Sequence, residues 1–133
     1  NWRGAIDSHQ VGGQAVVDLK LQGTAIFVDA ARLYALAHGI PATGTRPRLE
    51  AFGRAIALDP QESEAWIEGF EFLQSLRLQV QLGGSSRTVI GSTTGNPNLI
   101  EANALNDIDR RLLKEVFRVA RRLQQRLALD YER

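Results

Sequence analysis

LNDIDRRLLKEVFRVARRLQQRLALDY, residues 105–131, reads as one long helix. Apolar side chains recur at Leu105, Ile108, Leu112, Val116, Val119, Leu123 and Leu127, the three-and-four spacing of a single helical face. Leu113, Phe117 and Ala120 widen that stripe, so the helix expects neighbours on more than one side. Asn106 is placed to cap its start, because a side-chain oxygen there accepts from the free N–H groups of the first turn. Asp107 and Asp109 follow where the positive end of the helix dipole favours carboxylates. The remaining surface is basic, with Arg110, Arg111, Lys114, Arg118, Arg121, Arg122 and Arg126 answered by Glu115. At ~1.5 Å per residue such a helix is roughly 40 Å long, enough to be the spine of a bundle.

Three further helices are predicted upstream. Asp59-Pro60 is the sharpest boundary, with Asp as cap and Pro in the first turn. It opens a helix over about 60–82 that buries Trp66, Phe70, Leu73, Leu76 and Val80 and ends at Gly83-Gly84. An earlier helix spans about 24–38. Ile26, Ala30, Leu33 and Leu36 or Ala37 form one face, Phe27, Ala31 and Tyr34 lie beside it, and Gly39 and Pro41 stop it. Between them a shorter helix, about 46–58, has Thr45 as its cap, Pro47 in its first turn, and Leu49 and Phe52 inward. The fold class expected is mainly α, an antiparallel bundle of these four principal helices. Residues 1–22 form an irregular or hairpin segment, with turn chemistry at Val11-Gly12-Gly13-Gln14 and a β-prone run over residues 15–19. The domain division is then a lead-in from an upstream domain junction at 1–22 and a helical bundle at 23–133. Residues 85–104, rich in Gly, Ser, Thr and Asn, show no helical period and read as one long surface loop.

Composition narrows the function classes. A chain of 133 residues with 44% hydrophobic and 23% charged residues is the size of one globular domain with a sizeable core. Its net charge of +1 supplies no global field for nucleic acid or a membrane surface. Glu62, Glu64, Glu68 and Glu71 of the third helix suggest that it neighbours the basic final helix and offsets its charge. There is no Cys, which removes disulfides, thiolate metal sites and Cys nucleophiles and fits a cytoplasmic location. No apolar run approaches the ~20 residues of a spanning helix, and no signal-peptide pattern opens the chain. Met is absent even at position 1, as expected of a segment of a longer protein.

Two apparent catalytic arrangements have structural explanations. Gly91-Ser92 followed by Asp107-Ile108-Asp109 resembles the phosphate- and metal-binding pattern of polymerase-β-type nucleotidyltransferases, whose Asp pair projects from a strand. Here the Asp pair opens a helix, where capping and the dipole account for it. His9 beside Ser8 and Asp7 is not a triad, since adjacency in sequence does not supply the geometry. No phosphate-loop, zinc-protease, dinucleotide or nucleophile-elbow motif is present, so no catalytic residue and no metal ligand is assigned. Glu64, Glu68 and Glu71 share one helix face and read as a solvated row. The basic face of the last helix lacks interleaved aromatics for base stacking, and nucleic acid is not an expected partner.

Several stretches in fixed order carry a family resemblance. They are Asp18-Leu19-Lys20, Ala31-Arg32-Leu33-Tyr34-Ala35-Leu36, and Thr45 with Arg48-Leu49. Next come Gly69-Phe70-Glu71-Phe72-Leu73 with Leu76-Arg77-Leu78, Asn98-Leu99-Ile100 leading to Leu105, and Arg110-Arg111 with Leu113-Lys114 and Leu123-Gln124. Over about residues 16–127 the chain resembles the substrate-binding domain at the C-terminus of bacterial nucleotidyltransferase-like signal-transduction proteins, relatives of nitrogen-regulatory uridylyltransferases. Ala102 stands where the family commonly has Pro, and Asn106-Asp107 where it has Ser-Pro, a change that keeps a capping residue. The resemblance implies a non-catalytic helical domain of a cytoplasmic nucleotidyltransferase-like protein. It implies Lys20, Arg32, Arg48, Arg77, Asn98 and Lys114 as candidate substrate-binding residues. Cations within otherwise apolar stretches suit nucleotide phosphates or an acidic partner, while the structural alternative is ion pairs such as Arg32 with Asp29 or Arg77 with a Glu of its own helix. Mg²⁺ and a nucleoside triphosphate are implied for the parent protein, and no cofactor for this segment. The partners implied are upstream nucleotidyltransferase and CBS domains of the same chain and an acceptor protein, with a homodimer favoured if a lost domain contact exposes apolar surface. The alternative is a regulatory interaction module that couples CBS-domain nucleotide sensing to a partner without transfer chemistry.

Overall fold

A computed structural model of the chain describes residues 9–11, 14–82 and 98–131. Strands β1 (His9–Val11) and β2 (Gln14–Asp18) pair as an antiparallel hairpin, and β2 leads into one π-helical turn, Lys20–Thr24. Helices α1 (Ala25–Ala37), α2 (Thr45–Ala55) and α3 (Pro60–Gln81) follow. Strand β3 (Leu99–Glu101), a 3₁₀ turn at Ala102–Ala104 and helix α4 (Asp107–Tyr131) complete the order. The fold is mainly α with four principal helices, as the periodicity predicts. Asp7, Ser8, Gly12-Gly13, Gly83-Gly84 and Gly91-Ser92, singled out in the sequence, lie outside the described residues.

The helix ends follow local chemistry. The Asp59 carboxylate accepts from the Gln61 N–H at 3.1 Å, and Asn106 Oδ1 accepts from the Asp109 N–H at 2.7 Å. Helix α1 closes with Gly39 at φ +62°, the Ile40 N–H reaching the Ala35 carbonyl at 2.9 Å. Helix α2 closes the same way, the Leu58 N–H reaching the Gly53 carbonyl at 2.8 Å, but there the left-handed residue is Ala57 at φ +52°. Thr45 is not the cap of α2. Gly44, at φ +92°, precedes the helix, and Thr45 is its first residue. Glycine reaches that backbone angle without the steric penalty of a side chain.

The predicted loop over 85–104 needs correction in its last part. Leu99–Glu101 is a strand, paired with β2 in the register Val16–Glu101, Val17–Ile100 and Asp18–Leu99. The sheet order is β1-β2-β3. Val17, Leu19 and Ile100 are wholly buried and belong to the same core as the helices. In α1 the inward face is Phe27, Ala30, Ala31, Tyr34 and Ala35, whereas Leu33 and Leu36 face outward, Leu36 at 74% exposure. Small alanines let a helix approach its neighbours closely, and dense packing then favours them over the larger leucines. In α4 the buried face is centred on Leu113, Val116, Phe117, Ala120 and Leu123, with Ile108 outside it.

Helices α2 and α3 run antiparallel, since Gly53 faces Ser63 while Arg46 bonds to Glu71. Trp66 shares a cavity with Leu123 and Arg126 while Leu73 and Phe117 both crowd Gly23, so α3 and α4 are antiparallel too. A ladder of rings ties the bundle together: Tyr34 stacks on Phe52 at 3.9 Å between centroids, Phe52 on Trp66 at 6.1 Å, and Tyr131 leans on Tyr34 at 5.6 Å. The acidic and basic helices are neighbours, but among the described residues no ion pair joins them. The pairs formed are Arg46 with Glu50 and Glu71, Arg110 with Asp107, and Arg118 with Glu115.

Candidate functional site

The π-helical turn is where several of the sequence-derived candidates meet. It is built by Asp18, whose Oδ1 accepts from the Lys20 N–H at 2.9 Å and the Leu21 N–H at 2.8 Å. The Asp18 N–H in turn donates to Gln22 Oε1 at 2.8 Å. Gly23 presses the turn into the bundle. A Cβ at that position would lie 2.6 Å from Leu73 Cδ1 and 3.2 Å from Phe117 Cε1, so a side chain there would have to displace the end of Leu73. The turn thus has a fixed backbone seated between α3 and α4, with the Lys20 side chain exposed at its start.

Arg77 and Asn98 are bound to each other. Arg77 Nε donates to Asn98 Oδ1 at 2.9 Å, and Nη1 donates to Gln74 Oε1 at 3.0 Å. The Asn98 carbonyl accepts from the Leu19 N–H at 2.8 Å, one residue before Lys20. A continuous chain of hydrogen bonds therefore runs from α3 through Asn98 to the base of the turn. The pairing of Arg77 with a glutamate of its own helix, weighed from the sequence, is replaced by these two amide oxygens. Lys114 is half-buried on α4, one helical turn before Phe117, the ring that meets Gly23.

The other two cations lie elsewhere. Arg48 Nε donates to the Ala42 carbonyl at 3.0 Å and so ties α2 to the loop before it. Arg32 is exposed on α1, and among the described residues it forms no ion pair with Asp29. The structure thus brings Lys20, Arg77 and Asn98 together, sets Lys114 on the helix that packs against the same turn, and leaves Arg32 and Arg48 apart.

Among the described residues no group of three or more His, Asp or Glu side chains is placed to hold a metal ion. Asp107 pairs with Arg110, and Asp109 follows the capping Asn106 in the first turn of a helix, not on a strand. No described helix is long and apolar enough to cross a membrane.

A family model described as "Putative nucleotidyltransferase substrate binding domain" matches residues 2–131. The chain belongs to this family. No curated protein and no solved structure matches it. Two residues that set the geometry of the π turn carry no role in the sequence reading: Asp18, quoted there only within Asp18-Leu19-Lys20, is the acceptor that builds the turn, and Gln74 is the second anchor of Arg77. For Asp18 a signal existed, since an Asp side chain commonly accepts from the backbone N–H groups just after it. Gln74 carried none, as a lone Gln on a helix surface has no distinctive spacing.

Proposed function

We propose that this domain is the substrate-holding accessory domain of a cytoplasmic nucleotidyltransferase-like signalling protein and has no catalytic group of its own. The observation that carries this reading is the pinned π turn, where Arg77 and Asn98 fix the backbone beside Lys20. Lys114 lies on α4, one helical turn before Phe117, the ring that meets Gly23. Lysines on a rigid base suit nucleotide phosphates, because the site need not be ordered when the ligand arrives. Catalytic carboxylates and Mg²⁺ would come from the upstream nucleotidyltransferase domain, with CBS domains and an acceptor protein as further partners. Arg32 and Arg48, also implied by the family resemblance, drop to supporting roles in this reading.

The test is calorimetric titration of the full-length parent protein with nucleoside triphosphate and Mg²⁺. Loss of both lysines by Lys20→Ala with Lys114→Ala should weaken binding at least about tenfold, since charge-assisted bonds are each worth roughly 1.5–3 kcal/mol. Arg32→Ala should leave the affinity unchanged. Equal affinity in all three proteins would refute the assignment of substrate to this turn.

A second reading, the regulatory interaction module, has its own observation. Arg111, Arg121 and Arg122 of α4 are exposed and form no ion pair among the described residues, a basic ridge open to an acidic partner. It is favoured if the parent binds no nucleoside triphosphate at all.

A further inference from the structure

At the far end of the α3–α4 pair, roughly 20 Å along α3 from Arg77 at ~1.5 Å per residue, lies a cavity of about 650 Å³. Its charged lining is Asp59, Glu62 and Asp130 of one sign and Arg122 and Arg126 of the other, with the buried Leu123 and the exposed Leu129 as apolar lining. Each carboxylate is held by a different structural donor. Asp59 accepts from the Gln61 N–H at 3.1 Å, Glu62 from the Trp66 indole at 3.1 Å, and Asp130 from the Tyr34 hydroxyl at 3.0 Å. Each such bond occupies one carboxylate oxygen and anchors the group to a cap, a buried ring or a buried phenol. Arg122 and Arg126 stand one turn apart on α4, and among the described residues neither forms an ion pair. Five charges of both signs thus line one cavity and are kept from collapsing onto each other.

We propose that this cavity binds a small basic amino acid of the lysine class, whose carboxylate bridges Arg122 and Arg126 while its ammonium groups meet the anchored carboxylates. Three carboxylates against two guanidiniums leave the lining one negative charge, and a ligand with two ammonium groups and one carboxylate supplies the complementary positive one. Its methylene stem lies against Leu123 and Leu129. The volume is within the roughly 300–1,000 Å³ range of small-molecule sites. A simple anion would face three carboxylates, and a simple diamine would face two guanidiniums, so only a ligand carrying both signs satisfies the whole lining. This inference is independent of the proposed substrate site at the π turn.

The probe is l-lysine, added to ¹⁵N-labelled protein while the Trp66 indole N–H signal is followed by NMR. The chain has two Trp residues, and Trp2→Phe assigns the signal. A saturable shift is expected with l-lysine. Cadaverine, which is lysine without its carboxylate, and glutarate, which has no ammonium group, should bind at least about tenfold more weakly, since each leaves charged lining unpaired. Arg122→Gln with Arg126→Gln should weaken l-lysine to a similar extent. So should Asp59→Asn with Glu62→Gln, whose amide oxygens still accept from the Gln61 N–H and the Trp66 indole and so keep the fold. No saturable shift with l-lysine overturns the proposal, as does equal binding of cadaverine, or unchanged binding in both double variants.

Discussion

Ala57 occupies a backbone position that L side chains avoid. At φ +52° it closes the Schellman turn of α2, a place where glycine is the usual occupant. The left-handed conformation costs an L residue about 1–2 kcal/mol, and the extra chain entropy of glycine offsets part of any gain. Ala57→Gly should therefore raise unfolding stability by about 0.5–1 kcal/mol, read as a higher urea midpoint at unchanged slope. Gly23 is the opposite case. Gly23→Ala drives a methyl into Leu73 and Phe117, both buried, and overpacking of this kind costs typically about 1–3 kcal/mol. Adding Leu73→Val frees space beside the new methyl, so the double variant should lose less stability than the two single losses summed. Additive losses would mean that the two side chains do not compete for one space.

At the scale of elements, the caps set where helices begin, and one of them does so next to charged surface. Asp59→Ala should cost about 1 kcal/mol through its lost bond to the Gln61 N–H, while Asp59→Asn should cost little, a comparison made by thermal melts of the two variants. The helices themselves were legible because Asp59-Pro60, Asn106 and Gly39 punctuate long apolar periods. Which face of α1 points inward was legible in part: Phe27, Ala30, Ala31 and Tyr34 are buried as expected, Leu33 and Leu36 are not. Leu33 and Leu36 look more buriable than Ala30 and Ala31 on any hydrophobicity scale, yet the close approach of neighbouring helices selects the small residues. Strand β3 escaped notice for a different reason. Three residues, Leu99-Ile100-Glu101, show no period of their own, and the partner that makes them a strand lies near the other end of the chain. The candidate site was legible in its members and not in its grouping. Arg77 and Asn98 could each be named from the family resemblance, but their hydrogen bond depends on how β3 is drawn against β2.

For the molecule as a whole, the ring ladder and the Tyr34–Asp130 bond join α1, α2 and α3 to the end of α4. Burial, and then the hydrogen bond to Asp130, push the Tyr34 phenol well above its ordinary value. The unfolded chain releases that proton from about pH 10, whereas the folded chain retains it. The contribution is fully present below pH ~10 and is lost as pH rises through the higher folded value. Urea titrations between neutral and strongly alkaline pH should show stability falling above about 10, and Tyr34→Phe should flatten that fall.

The pairing of β2 with β3 has a consequence for how the chain is made. On the ribosome Val16 and Val17 are synthesised early, and the strand that covers the remaining edge of β2 is synthesised late. Every nascent chain therefore passes through a long interval in which that edge has open hydrogen-bonding groups and its valines lack their native cover. A product terminated before residue 99 never leaves that interval. Shortened versions of this domain should be cleared by proteases or aggregate, even when they retain three of the four helices.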